Sequence, residues 1–172
     1  MISTILCEGK SDAIILGYIL IAEYSYNFLN TKDAFKYTRI NVLVQNQEQE
    51  VYWYKNNENI VCVCSVGGKD NFLNFLNFSI LRIEGSNDYS HIFSKIFIVR
   101  DKDEDEINLI EKNISNNHLK ISFKNRTYQF FTMKDGFGHD YKLLTHLCII
   151  PFENSGCLED VILKAISELS TE

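Results

Sequence analysis

The sequence predicts a single α/β domain over residues 1–172, with a mainly parallel sheet flanked by helices. Short apolar, β-branched segments alternate with segments of helical length, which is the pattern of strand–helix–strand units. Such units favour right-handed crossovers between parallel strands. A length of 172 residues suits one domain, and a chain with one proline and no Gly/Ser-rich linker offers no internal boundary.

The N-terminal segments predict a strand, a turn, a helix and then a hairpin. Residues 2–7 form an apolar strand, and after a polar turn residues 13–29 continue at helical length. Residues 38–44 and 51–54 alternate apolar and polar side chains around the polar segment NQEQE. This alternation predicts two antiparallel strands joined by a turn.

Two further strand–turn–helix units follow in the middle of the chain. Residues 61–66 form an apolar strand that ends at Gly67-Gly68, and residues 69–78 carry apolar side chains at helical spacing. Residues 96–99 form a compact strand that runs directly into the acidic segment RDKDEDE, with a helix predicted over residues 107–114.

The C-terminal third predicts a hairpin, a last strand and a last helix. Residues 119–123 and 127–133 flank a polar turn, as the two strands of a hairpin do. The apolar segment LCII before Pro151 predicts a buried strand, and residues 158–169 predict a helix.

Composition excludes several classes of protein. With 45% hydrophobic and 23% charged residues, the chain is too apolar to be disordered. A net charge of −6 gives no bulk attraction to nucleic acid. No apolar run reaches the length of a membrane span, and the N-terminus lacks a basic region and a cleavage site. We therefore expect a cytoplasmic protein with no membrane contact.

The five cysteines predict buried free thiols rather than a disulfide framework. They are odd in number, and the chain carries no export signal. Cys62 and Cys64 lie in the apolar run IVCVC without a second Cys or His pair, so the spacing is weak for zinc and favours core packing.

Acidic residues concentrate where the third predicted strand ends. Asp101 and Asp103 occupy alternate positions at this exit, where their carboxylates can point the same way and repel each other unless a hard cation binds between them. Asp105 follows, although acids in the first turn of a helix are also favoured by the helix dipole alone.

The turn after the first strand reads Glu8-Gly9-Lys10 and contains a second set of candidate residues. Glu8 is either a solvated turn residue or a site carboxylate, and Gly9 lets the backbone approach a ligand closely. Lys10 is either a surface lysine or a phosphate contact. Asp12 is interpreted as an ordinary residue of the first helical turn.

Taken together, the motifs ILCEGKSDA, VCSVGGKDN and IFIVRDKDE resemble the Toprim domain, a Rossmann-like α/β fold. The family includes topoisomerases, bacterial primases, small ribosomal-RNA maturases and the OLD-family nucleases. The later segment IIPFENSGCLEDVIL resembles a stand-alone, uncharacterised prokaryotic Toprim-like branch related to OLD nucleases. This chain has EDEINLIE after its D-x-D pair, where topoisomerase, primase and maturase versions usually place a glycine, so their activities are not transferred.

The resemblance implies a metal-dependent, phosphodiester-cleaving protein that acts on DNA or RNA. It assigns Glu8 and Lys10 to catalysis, and Mg²⁺ or Mn²⁺ to carboxylates of the D-x-D segment and the late acid. The carried-over metal ligands are Asp101, Asp103, Asp105 and Glu159, with Asp160 behind Glu159. The carried-over phosphate contacts are Gly9, Gly67, Gly68 and Lys69. An ATPase on a separate chain is an implied partner, because OLD proteins carry theirs in the same chain.

Two alternatives stay open at this point. Glu159 and Asp160 follow Gly156 and are equally well explained as acids at a helix start. The whole chain is alternatively a non-catalytic module that keeps its carboxylates to bind a metal or a nucleotide.

Overall fold

The computed structural model describes residues 1–40, 42, 49–57, 59–86, 88–115, 121–151 and 156–169, with side chains through residue 164. The strands are β1 (Ile2–Cys7), β2 (Asn27–Leu29), β3 (Glu50–Asn56), β4 (Asn59–Ser65), β5 (Lys95–Asp101), β6 (Tyr128–Lys134) and β7 (Asp140–Ile150). The helices are α1 (Lys10–Tyr24), α2 (Thr31–Ala34), α3 (Phe72–Gly85), α4 (Ile107–Ile114) and α5 (Leu158–Leu169).

The described strands form a seven-stranded mixed sheet in the order β2-β3-β4-β1-β5-β7-β6. The four central strands, β4, β1, β5 and β7, are parallel to their neighbours within this group. The outer strands β2, β3 and β6 add antiparallel edges. The predicted α/β class is confirmed, and the parallel part is the centre of a mixed sheet.

The core lies on both faces of this sheet. On one face, α3 and α4 pack a large buried cluster that includes Phe72, Ile80 and Ile110. On the other face, α1 packs a smaller cluster in which Ala13 and Leu20 meet residues of β3 and β4. Helices therefore cover both faces, as a parallel sheet centre requires. No described helix is long and apolar enough to cross a bilayer.

The prediction of free thiols is confirmed, and the prediction of burial holds for Cys7, Cys62 and Cys64. Cys62 and Cys64 lie in β4, are 0% and 2% exposed, and belong to the main core. All five cysteines are free thiols, and Cys148 and Cys157 are partly exposed.

The helix predicted through residue 29 ends earlier, at Tyr24. Ser25 adopts a left-handed conformation with φ of 53°, and its N–H donates to the carbonyl of Leu20, which closes the helix. Asn27–Leu29 then forms β2, an edge strand paired with β3. The prediction of a continuous helix was wrong because apolar content continued past a left-handed cap.

Two predicted hairpins have different partners in the structure. β3 pairs with β2 and β4, and the described residues of the predicted partner strand, 38–40 and 42, form no strand; residues 41 and 43–48 lie outside the described residues. β6 pairs with β7, whose buried alternate residues require a neighbour on each side. Phe123 is instead a buried loop residue whose ring lies 6.3 Å from that of Phe131; residues 119–120 lie outside the described part.

Candidate metal centre

The candidate site lies at the carboxyl ends of the parallel strands. β1 runs into Glu8, β4 into Gly67-Gly68, and β5 ends at Asp101. The exits of β1 and β4 are tied together, because the N–H groups of Gly67 and Gly68 both donate to the carbonyl of Glu8 at 3.1 Å. Open parallel sheets present their ligand sites at this rim.

Three carboxylates from three different elements meet here. Asp12 in the first turn of α1, Asp101 at the end of β5 and Glu159 in the first turn of α5 each place one oxygen within 4.8 Å of the other two. Asp12 is only 5% exposed, and the other two are partly buried. We call these three residues the carboxylate group. Among the described residues, it is the set whose spacing suits a single ion.

Asp12 has two roles at the start of α1. Its Oδ2 accepts a hydrogen bond of 2.8 Å from the N–H of Gly9, so it caps the helix as the sequence predicts for a first-turn acid. The same geometry turns its buried carboxylate toward Asp101 and Glu159. Burial raises the pKa of Asp12, because the charged form loses water. Asp12 was not predicted to be a site residue; the signal in the sequence was its spacing of four residues from Glu8.

Asp101 is the most strongly perturbed carboxyl at the rim. Its Oδ1 accepts a hydrogen bond of 2.9 Å from the backbone N–H of Leu158, which orients the start of α5. Burial, together with the negative charges of Asp12 and Glu8, raises its pKa from 3.8 to about 7, against the opposing effect of the Leu158 hydrogen bond. A carboxyl whose pKa is raised by burial and by neighbouring acids is typical of a partly buried site that gathers negative charge.

Glu8 and Arg100 face each other without forming a hydrogen bond. Arg100 is 2% exposed, and its Nε lies 4.0 Å from Oε2 of Glu8. Both atoms are buried and lack a hydrogen-bond partner among the described residues. Burial raises the pKa of Glu8, an effect opposed by Arg100 and reinforced by Asp103. The Oε2 atom is thus a buried acceptor with unused capacity at the rim.

Asp103 stands next to the carboxylate group with its backbone fixed. Its φ is 48°, in the left-handed region, and its N–H and carbonyl form a two-way bridge with Gly156 at 2.9 and 3.2 Å. The charge of Asp103 raises the pKa of both Glu8 and Asp12, so it shares their electrostatic environment. Its oxygens are not among those within 4.8 Å of one another in the described part of the chain.

Asp105 faces cations and lies apart from the carboxylate group. Its Oδ2 accepts a hydrogen bond of 2.8 Å from Arg100 and lies 3.5 Å from Nζ of Lys69. Lys10 is also paired, with its Nζ 2.9 Å from Glu50. Asp105, predicted as a metal ligand, is therefore paired with Arg100 and Lys69. Lys10 and Lys69, predicted as phosphate contacts, are both already in ion pairs.

The glycines predicted to bind phosphate serve the backbone of the rim. Gly67 and Gly68 have φ of 75° and 108°, which side-chain-bearing residues rarely adopt. Their two amides are used by the carbonyl of Glu8, and Gly9 donates to Asp12. These glycines shape the turn that presents Glu8 and Asp12.

The donor set fits a hard divalent cation. All three members of the carboxylate group offer oxygen, the ligand that Mg²⁺ and Mn²⁺ prefer, and none is a thiolate or imidazole. Glu8 adds a buried oxygen with no hydrogen-bond partner among the described residues. The donor set therefore suits magnesium or manganese better than it suits structural zinc.

Fold and site together define a mixed-sheet α/β protein with a carboxylate centre at the strand exits. The chain belongs to the family described as protein of unknown function DUF3226, whose model matches residues 2–172. Its fold is similar to the crystal structure of hypothetical protein PH0156 from Pyrococcus horikoshii OT3, with a TM-score of 0.60 and 13% identity over 99% of this chain and 67% of that one. No curated protein sequence matches the chain significantly.

Proposed function

We propose that this protein is a Toprim-type, metal-dependent enzyme that cleaves phosphodiester bonds in nucleic acid. The observation that carries the proposal is the carboxylate group: Asp12, Asp101 and Glu159 come from three elements and meet within 4.8 Å. The resemblance of the motifs around Glu8, Gly67-Gly68 and Asp101 to the Toprim signature supports it.

Electrostatics favours a cation at this position. Three carboxylates that close repel one another. Burial, reinforced by the charges of neighbouring acids, raises the pKa values of Asp12 and Asp101. A divalent ion offsets both the lost hydration and the repulsion, and so favours the charged carboxylates. Bound there, Mg²⁺ or Mn²⁺ supplies Lewis-acid polarisation of a phosphodiester and stabilisation of the leaving oxygen.

The proposed roles divide among the rim residues. Asp12, Asp101 and Glu159 hold the ion, with Asp103 as a further ligand. Glu8 moves the proton, because burial raises its pKa toward the range where a carboxyl can serve as base and acid. Arg100 orients Glu8 and Asp105 from below the rim, since it is buried and faces both.

Nucleic acid is the proposed substrate and the cytoplasm the proposed location. The net charge of −6 gives little general attraction to a polyanion. Contact with substrate therefore depends on the bound ion or on a second protein, and an ATPase on a separate chain is the proposed partner.

One observation favours the alternative of a non-catalytic module that binds metal or nucleotide. Lys10 and Lys69, the two lysines placed at the rim by the sequence, are both held in ion pairs. A binding module needs no cation free to neutralise a scissile phosphate, whereas an enzyme gains from one.

The test is cleavage of supercoiled plasmid, single-stranded DNA and RNA with Mg²⁺ or Mn²⁺, by wild type and by Asp12→Asn and Glu159→Gln. We expect metal-dependent cleavage that both substitutions reduce by at least about a hundredfold. Asp160→Asn is the matched control: Asp160 adjoins Glu159, but its carboxylate accepts from the N–H of Cys157 and is not in the carboxylate group. This control should cleave normally.

Calorimetric titration of Mg²⁺ and Mn²⁺ into the same proteins separates the two candidates. Metal binding without cleavage of any substrate assigns the protein to the binding-module class. Cleavage that survives both Asp12→Asn and Glu159→Gln would overturn the proposed centre.

A further inference from the structure

We propose a second ligand site at the opposite rim of the sheet, a cavity that binds a nucleoside phosphate. The cavity has a volume of about 700 Å³ and lies at the amino ends of the parallel strands, where Ile2 begins β1, Ile60 lies near the start of β4 and Ser94 precedes β5. Small-molecule sites typically occupy about 300–1,000 Å³. The cavity is thus of the size that a mononucleotide needs.

Two tyrosines form a rigid aromatic wall of this cavity. The rings of Tyr89 and Tyr141 stack with centroids 5.6 Å apart and planes 22° apart. The Tyr89 hydroxyl donates to Oδ2 of Asp135 at 3.1 Å, and the Tyr141 hydroxyl donates to the carbonyl of Phe93 at 3.2 Å. Because both hydroxyls already donate hydrogen bonds within the protein, the two tyrosines present aromatic surface to the cavity.

The exposed ring of Tyr89 is the platform for a base. Tyr89 is 58% exposed although one side of its ring is covered by Tyr141. A large apolar surface that is locked in orientation and left open loses little conformational entropy on binding. A planar aromatic ligand extends the existing stack, and base–aromatic stacking tolerates any base.

A lysine, Lys55, also lines this cavity. Nζ of Lys55 lies 5.0 Å from the centroid of the Tyr37 ring, and both residues line the cavity. The ion pairs of the described residues do not include Lys55. An ammonium held against an aromatic ring suits an anionic group, so the cavity pairs a stacking wall with an anion contact. A base that carries a phosphate satisfies both.

This site is separate from the carboxylate group. β1 is six residues long, which places about 20 Å of strand between the two rims. The lining residues belong to the starts of parallel strands, the loops before them and the end of the antiparallel strand β3, whereas Asp101 and Glu159 lie at and beyond the exit of β5. Nucleotide binding at the cavity therefore needs no divalent ion, and it goes beyond the proposed cleavage activity.

The test is calorimetric titration of the full chain in EDTA with AMP, adenosine and inorganic phosphate. We expect AMP to bind at least about tenfold more tightly than either fragment. Lys55→Met should reduce AMP affinity to that of adenosine, and Tyr89→Leu should reduce AMP and adenosine binding alike. Tyr89→Phe keeps the ring and should retain binding, which separates loss of stacking from misfolding.

Asp101→Asn and Tyr128→Leu are the matched controls. Asp101 lies at the other rim, and Tyr128 is an equally exposed tyrosine (62%) outside the cavity, so neither substitution should alter AMP affinity. Absence of AMP binding at millimolar concentration would overturn the proposal. AMP binding that requires Mg²⁺ and is lost in Asp101→Asn would also overturn it, because the nucleotide would then sit at the carboxylate group.

Discussion

At the residue scale, Asp101 links the stability of the protein to pH. Its pKa is about 7 in the folded chain, against an ordinary value of 3.8, so without metal the folded state holds this proton more tightly than the unfolded state does. The resulting stabilisation is complete below pH 3.8 and is lost as the pH rises through about 7. Removing the carboxyl charge removes this loss.

We therefore predict that Asp101→Asn gains thermal stability relative to wild type as the pH rises from 5 to 8 in EDTA. Added Mg²⁺ should stabilise wild type increasingly over the same range, because the ion competes with the proton, and should have little effect on the variant. Melting curves at several pH values, with and without Mg²⁺, measure both effects. Parallel curves for the two proteins in EDTA would show that Asp101 does not carry the raised pKa.

Arg100 supports the site from within the core. The side chain is 2% exposed and donates a hydrogen bond of 2.8 Å to Oδ2 of Asp105. Its Nε lies 4.0 Å from Oε2 of Glu8. We predict that Arg100→Met lowers the free energy of unfolding by about 3–5 kcal/mol, because Glu8 loses the buried cation that faces it and Asp105 keeps only the more exposed Lys69. Mg²⁺ should restore part of the lost free energy of unfolding if it binds close enough to replace the positive charge of Arg100.

Urea denaturation with and without Mg²⁺ measures this prediction. Lys36→Met is the matched control, since Lys36 also forms an ion pair with an aspartate, Asp33, but lies at the surface. The control should leave the denaturation midpoint unchanged. An equally small effect of Arg100→Met would mean that Glu8 and Asp105 are not held by this charge.

At the scale of elements, the seating of α1 on the sheet depends on one glycine. A Cβ at Gly17 would lie 2.7 Å from Cζ of Tyr54, closer than real Cβ contacts come. The absence of a side chain lets the helix approach β3 and bury Ala13 and Leu20. Because α1 also carries Asp12, this contact sets the depth of one member of the carboxylate group.

We predict that Gly17→Ala destabilises the protein by about 1–3 kcal/mol despite the better helix propensity of alanine. Gly85→Ala is the control, because a Cβ at Gly85 meets nothing within 4 Å, and it should be neutral or slightly stabilising. Thermal melts compare the two variants. If Gly17→Ala also weakens Mg²⁺ binding, the shift of α1 extends to Asp12. Equal stability of the two variants would show that the close contact between Gly17 and Tyr54 does not limit how α1 packs.

Most element types followed from local patterns, with β2 and the loop around Phe123 as exceptions, whereas strand pairing did not. The ranges predicted for α4 and α5 match the structure, because strong apolar periodicity bounded by acids and Gly156 defines them locally. The partners of β3 and β6 depend on which distant strand buries the same face, and local alternation does not contain that information.

At the scale of the whole molecule, the parallel centre of the sheet explains what the sequence could predict of the site. Glu8, Gly67 and Asp101 share a rim because parallel strands end together, and this followed from the predicted strand–turn–helix units of a parallel sheet. The direction in which a side chain turns was not predictable. Asp12 belongs to the carboxylate group although it lies in the first turn of a helix. Asp105 instead accepts a hydrogen bond from Arg100, a buried arginine that was not predicted as a site residue.

The charge of the whole molecule sets how it meets a polyanion. With a net charge of −6, and with Lys10 and Lys69 already in ion pairs, the rim offers few cations to replace the counterions of nucleic acid. The slope of log affinity against log salt is about −0.9 for each phosphate neutralised on duplex DNA.

We predict a slope no steeper than about −2 in the presence of Mg²⁺, with binding lost in EDTA. Fluorescence anisotropy of a labelled duplex between about 50 and 200 mM salt measures it, with Lys10→Gln/Lys69→Gln as a variant whose slope should match that of wild type. A slope steeper than about −5 that this variant flattens would show that the ion pairs open to bind phosphates, and that the protein attracts nucleic acid by its own lysines without reliance on the metal.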